Sequence, residues 1–287
     1  MNNLRLPEAD SHTAGISRVR EHANTGAQHM KRRLQERKPA FLAKRETRLL
    51  PMLHLLDLLP PATVVLGRTA QAAPVLLSLG AERSGHLMVA GPGSSGKSEL
   101  LRSALLSLCL TSRPAQLCVL GIDLSGRELA VLESVPHALS DLATEPVFAA
   151  ALIRWMVDEQ HRRAEYGISR PHLALMIDDL EWLAHSRWNR EARMLNHIMI
   201  KGASHGMHIL AAAVDPLPVV FREAVNQSHV VRAATFPGQP TAIVIEQEGE
   251  RVVAEPVWSS AHDLNIAAGL ASAGWLASHR FLDSVAR

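Results

Sequence analysis

Residues 86–108 read HLMVAGPGSSGKSELLRSALLSL. A short apolar run, a loop of glycines and serines, and a stretch of good helix formers follow one another, which predicts strand, tight turn and helix in succession. The loop, Gly91-Pro92-Gly93-Ser94-Ser95-Gly96-Lys97-Ser98, has the spacing G-x-x-x-x-G-K-S. Gly91, Gly93 and Gly96 allow the backbone to wrap closely around phosphates with its N–H groups facing inward, and the helix N-terminus adds partial positive charge. Lys97 is placed to reach the β- and γ-phosphates of a nucleoside triphosphate, and the Ser98 hydroxyl to ligate Mg²⁺. An eight-residue match can arise by chance, and the competing reading is a plain Gly/Ser-rich turn. The strand before it and the helix after it favour a P-loop. The expected nucleotide-binding set is therefore Gly91, Pro92, Gly93, Ser94, Ser95, Gly96, Lys97, Ser98 and Glu99, with ATP and Mg²⁺ as the cofactors.

Outward from this loop, QLCVLGI (116–122), LALMI (173–177) and MHILAAA (207–213) read as further buried strands. Helical stretches separate them, including EPVFAAALIRWMVDEQHRRAEYG (145–167), expected to be capped by Thr144 and stopped by Gly167. Strands alternating with helices imply an α/β fold with a mainly parallel sheet covered on both faces. Near the end, TAIVIEQEGERVVAEPVW predicts a hairpin turning at Glu248 and Gly249, followed by a short helical tail. LALMI ends in two adjacent carboxylates, Asp178 and Asp179. An acid closing an apolar strand is a suitable magnesium-side ligand in a P-loop protein, so Asp178 joins Ser98 in the expected metal site. The competing reading is a pair of solvated strand-end residues. Lys97, Asp178 and Asp179 are the expected catalytic group.

Composition narrows the class. The hydrophobic fraction of 47% and charged fraction of 20% suit a globular chain and not a disordered one. A net charge of only +2 leaves any nucleic-acid interaction to local clusters. The densest cluster lies in MKRRLQERKPAFLAKRETRLL (30–50), where Lys31, Arg32, Arg33, Arg37 and Lys38 are candidate phosphate contacts and Pro39 divides two expected helices. The competing reading is a solvated face or a linker against another subunit. An aromatic content of 4% argues against base stacking, so DNA contact is expected to be to backbone phosphates. Cys109 and Cys118 lack metal-ligand spacing and read as core residues in a reducing compartment. His205 and His208 are spaced poorly for shared ligation and read as structural. The most apolar early window is broken by His54, Asp57, Pro60 and Pro61, and the start is polar. A cytoplasmic chain without a transmembrane segment is expected.

At this level of detail the sequence resembles the FtsK/SpoIIIE/HerA group of ring-forming, DNA-pumping ATPases. The resemblance runs from the P-loop block through GIDLSGRELAVLESVPHAL, where Asp123, Glu128-Leu129 and Pro136-His137 match in order. It continues through WMVDEQHRRAEYG and KGASHGMHILAAAVDP, and covers roughly residues 60–235. It implies a RecA-like P-loop NTPase over 59–287, with a polar tail and basic helical extension over 1–58. It further implies a homo-oligomer that moves double-stranded DNA, with a protein partner supplying anchoring or catalytic groups. Five departures stand out. The family's general-base Glu falls on Asp179, its Arg on Ala203, its sensing Gln on Val214 and a Lys on Ser125. A family segment between VVRAATFPG and TAIVI is missing. Asp is shorter than Glu by one methylene, about 1.5 Å, and a misplacement of about 1 Å can cost on the order of a hundredfold in rate. Three of the five departures, at Asp179, Ala203 and Val214, fall on the parts that convert binding into turnover. They suggest retained nucleotide binding with weakened hydrolysis, or hydrolysis completed by a neighbouring subunit. The alternative expectation is a weakly hydrolysing ATP-binding module of a secretion or regulatory assembly that acts on a protein partner.

Overall fold

The computed structural model describes residues 47–56, 59–80, 85–215, 217–226, 230–236, 239–247, 249–260 and 262–273, all within the compact unit Arg45–Arg287. Lys31, Arg32, Arg33, Arg37, Lys38, Pro39 and Glu248 lie outside the described residues.

The four expected strands form the centre of one sheet. They are β3 (His86–Ala90), β4 (Leu117–Asp123), β5 (His172–Asp178) and β6 (Met207–Ala213). With β7 (Val230–Phe236) they run parallel in the order β7-β3-β6-β5-β4, so the P-loop strand has a neighbour on each side. The chain leaves β3 for the far edge of the sheet and returns strand by strand, which opens a crevice at the carboxyl ends beside β3. The other half of the sheet is antiparallel. The hairpin of β8 (Gln239–Gln247) and β9 (Glu250–Pro256) follows β7, with Gly249 in the turn at φ +84°, and β1 (Thr63–Thr69) and β2 (Pro74–Ser78) complete the edge. Strands β1 and β2 are not among the strands expected from the sequence. Val64, Val65 and Leu66 are nevertheless buried in succession, because β1 is covered on both faces.

The two faces are read directly from the alternation along β5. Ala174 and Met176 pack on α2 (Lys97–Thr111) through Leu101, Leu105 and Leu108. Leu173, Leu175 and Ile177 pack on the opposite face against Ile153 and Met156 of α3 (Pro146–Tyr166) and Leu195 and Ile198 of α4 (Asn189–Lys201). A smaller cluster sets Leu49 and Met52 of α1 (Leu49–Leu56) against Val65, Leu106 and Val257. Each fully buried Leu contributes roughly 2 kcal/mol through apolar transfer, so these two layers hold the sheet that carries the site.

Helix α3 differs from expectation at its start. The N-cap is Glu145 and no side chain caps the helix. Pro146 at the first helical position removes one of the unsatisfied donors and holds the preceding residue extended (Glu145 φ −118°, ψ 140°), so Thr144 lies one residue too early to cap. The helix ends as expected at Gly167, φ +64°. Among the described residues no helix is long and apolar enough to cross a membrane.

Candidate nucleotide-binding site

The cradle is built on contacts that the motif does not spell out. Gly91 leaves β3 with its N–H donated to the Ala213 carbonyl of β6 at 3.2 Å. A Cβ at residue 91 would run into the Thr235 hydroxyl of β7 and lie 2.9 Å from Ser95 Oγ, so only glycine fits. Ser95 is buried; its Oγ lies 2.7 Å from the Pro92 carbonyl and 2.6 Å from Thr235 Oγ1. Its hydroxyl therefore holds the loop shut from below, while Gly93 and Ser94 stay exposed at the rim. Ser94 (φ +58°) and Gly96 (φ +88°) are both left-handed, which turns the chain sharply into α2, whose N-cap is Gly96. The Lys97 ammonium donates to the Pro92 carbonyl at 2.7 Å, across the mouth of the loop.

Asp178 ends β5 beside Asp123 of β4 and is only 9% exposed. Ser98 is hydrogen-bonded to it, yet its Oδ1 has no partner. Burial pushes its pKa up to about 6; the Ser98 bond opposes this, while the Asp123, Glu128 and Asp179 carboxylates add to it. A buried carboxylate oxygen without a donor, next to a hydroxyl and short of positive charge, is a donor set that suits a hard divalent cation. The residues present thus fit Mg²⁺. Asp123 is different. Its carboxylate accepts from the N–H groups of Ser125, Gly126, Glu128 and Leu129 and from the Ser125 hydroxyl. Burial works to raise its pKa, but these bonds together hold it below the usual range. The Ser125 hydroxyl thus shapes the turn after β4.

The second acid is turned aside. Asp179 is exposed, sits at φ +72°, and its Oδ1 accepts the N–H of Glu181 at 2.7 Å, closing a turn. Leu180, fully buried, donates its N–H to the Ala212 carbonyl at 3.0 Å, which bends the chain toward β6. Glu181 follows at the start of a 3₁₀ turn (Glu181–Ala184), and its Oε1 accepts the Val214 N–H at 3.1 Å. Burial and the Asp179 carboxyl raise the Glu181 pKa, while attraction to Lys97 opposes the shift. Sequence reading stopped at Asp179. The available signal was a third acid two residues further on, within reach once the strand end turns.

The remaining expected residues separate. Glu99 is committed sideways: Arg102 bridges it at 2.5 Å to Glu128, also at 2.5 Å, and Ser259 donates its N–H to Glu99 at 3.2 Å. Val214 follows β6 at the P-loop edge. Ala203 lies in the turn before β6, at the other edge, roughly 20 Å away for a seven-residue strand. A side chain at 203 cannot touch this chain's own cradle. Arg102, Thr235 and Glu181 went unassigned in the sequence reading.

A model of the FtsK/SpoIIIE family matches residues 59–212. The DNA translocase SftA of Bacillus subtilis is 29% identical over 177 residues, covering 54% of this chain and 18% of that protein. The DNA translocase FtsK of Tropheryma whipplei is 37% identical over 103 residues, covering 36% and 14%. The chain thus spans less than a fifth of these relatives. Among solved structures, the cytoplasmic domain of the Thermomonospora curvata type VII secretion ATPase EccC superposes with a TM-score of 0.63 at 22% identity, covering 76% of this chain and 32% of that one. The pCW3 conjugation coupling protein TcpA, solved with ATPγS, gives 0.61 at 17% identity, covering 73% and 69%. The structural likenesses establish the RecA-like α/β fold, and the family match covers more than half of the chain: the chain belongs to the FtsK/SpoIIIE family of P-loop ATPases.

Proposed function

We propose that the chain binds ATP with Mg²⁺ and couples nucleotide binding and hydrolysis to the movement of double-stranded DNA, as a homo-oligomer in the cytoplasm. The observation that carries this reading is the pairing of an open glycine cradle with the Ser98 hydroxyl and the unpartnered Asp178 carboxylate at one end of the sheet. In it, the backbone N–H groups of residues 93–98 bind the phosphates and Lys97 leaves the Pro92 carbonyl for the γ-phosphate. Ser98 and Asp178 would hold the Mg²⁺, which supplies charge neutralisation on the phosphate oxygens. DNA as the cargo rests on the DNA translocase relatives, with Lys31, Arg32, Arg33, Arg37 and Lys38 as the contacts we favour. The test is phosphate release with and without duplex DNA, with mass determination in ATP and Lys97→Ala as control. DNA-stimulated turnover lost in Lys97→Ala supports the reading. Replacing Lys31, Arg32 and Arg33 with Ala should flatten the salt dependence of DNA binding.

A second reading follows from Ala203 and Val214, which offer neither a charge nor a side-chain donor where the family has Arg and Gln. It is a weakly hydrolysing ATP-binding module that assembles with a protein partner. Nucleotide-dependent binding of a protein without DNA stimulation favours it.

A further inference from the structure

We infer that Glu181, and not Asp179, supplies the carboxylate that orients and deprotonates the attacking water. The inference rests on the ATPase reading above. Two carboxylates follow Asp178, and the fold treats them differently. Asp179 is held at φ +72° with its Oδ1 bonded to the Glu181 N–H, so one of its oxygens closes the turn that carries Glu181. Glu181 crosses to the next strand, where its Oε1 accepts the Val214 N–H.

The strand order β3-β6-β5 gives that crossing its meaning. Strand β6 lies between the P-loop strand and the strand of Asp178. A carboxylate anchored at the end of β6 therefore stands over the crevice between Lys97 and Asp178, close enough to Lys97 to feel its charge. Glu181 is exposed to solvent, and its side chain is also hydrogen-bonded to the Asp179 carboxyl. The turn is rigid: Leu180 is pinned to Ala212, Leu183 donates its N–H to the Leu180 carbonyl at 3.0 Å, and the Trp182 ring meets Trp188 edge to face at 5.6 Å. The carboxylate is thus positioned before any substrate arrives, which is what water activation requires.

In the step, Glu181 takes a proton from water as the water oxygen bonds the γ-phosphorus. The bond from that phosphorus to the β,γ-bridging oxygen breaks, its electron pair leaves with ADP, and the proton passes from Glu181 to the released phosphate.

The test uses the full chain at saturating ATP and Mg²⁺, with and without duplex DNA, and measures phosphate release, KM and the affinity for a fluorescent ATP analogue. Glu181→Gln keeps the acceptor for the Val214 N–H and removes only the basicity. It should lower kcat about a hundredfold, leave analogue affinity within about threefold, and retain bound ATP unhydrolysed. Asp179→Asn keeps the turn, since Asn tolerates the left-handed conformation, and should lose less than ~10-fold in kcat. Loss of turnover in Asp179→Asn with Glu181→Gln near wild type overturns the inference alone. A wild-type chain that binds the analogue yet releases no phosphate with or without DNA overturns both the inference and the hydrolytic half of the proposed function.

Discussion

Buried deep in the sheet, at the edge opposite the nucleotide site, His208 makes stability depend on pH in a way that can be calculated. It is completely buried, and burial drives its pKa from an ordinary 6.5 down to about 3; neighbouring His172 and Arg163 push the same way. The hydrogen bonds explain why it stays neutral. The group bonded to the Gly85 carbonyl at 2.7 Å is Nδ1, which must be the protonated nitrogen, so Nε2 carries a lone pair and accepts from His172 Nδ1 at 2.9 Å. A second proton on His208 would set two donors face to face. His86, which caps the Ile209 N–H through Nδ1 at 2.9 Å, completes the surroundings. A histidine with a depressed folded pKa is protonated first in the unfolded chain. Its contribution is therefore neutral above about pH 7 and falls as pH drops from 6.5 toward 3. Linkage with these two pKa values puts the loss between about pH 7.5 and pH 5 at ~2 kcal/mol. Urea unfolding followed by tryptophan fluorescence at both pH values measures it. His208→Gln, which keeps one donor and one acceptor, should remove most of that dependence whatever its own stability. Other titrating groups, Asp178 among them with its opposite sign, cancel in the difference between the two proteins. Parallel pH dependence in wild type and variant would refute the reasoning.

Further expectations concern the nucleotide site. Gly91→Ala forces a methyl into the Thr235 hydroxyl, and should destabilise the protein by about 1–3 kcal/mol while abolishing binding of a fluorescent ATP analogue. Thr235→Val removes one of the two hydrogen-bond partners of the buried Ser95 hydroxyl, at a cost of about 0.5–1.5 kcal/mol in denaturant unfolding, and should weaken nucleotide binding without touching a phosphate contact. Asp178→Asn removes a buried, poorly compensated charge. It should raise the melting temperature of the ligand-free protein near pH 7.5 and abolish the Mg²⁺-dependent part of nucleotide affinity by calorimetry with and without chelator. An Asn variant that melts lower and still binds Mg²⁺-nucleotide would contradict the account of Asp178.

The strands on either side of the P-loop were legible because buried parallel strands are short apolar runs bounded by turns, as in Met207–Ala213. Strand β1 was missed for the same reason in reverse: Thr63–Thr69 contains a buried run, but its partners β2 and β9 could not be named from local pattern. The Thr144 cap failed on a local rule that Pro146 overrides. Asp179 drew attention by adjacency to Asp178, whereas its positive φ, invisible in the letters, sets its Oδ1 on the Glu181 N–H.

What the sequence determined by itself is the set of features whose chemistry lies within a few residues along the chain. A loop of G-x-x-x-x-G-K-S after a strand and before a helix is suited to cradle phosphate, because the glycine positions and the helix N-terminus are fixed by covalent spacing. The tertiary structure decided everything that depends on which strand lies beside which. Thr235 supports Ser95 from 140 residues away, Glu181 reaches Val214 across 33, and Ser98 meets Asp178 only because β6 separates their strands. Strand order follows from the burial of both faces of the whole sheet, a sum over many side chains that no single segment carries. For that reason the expectation of nucleotide binding could be read from one loop, and the carboxylate proposed to activate water only from the fold.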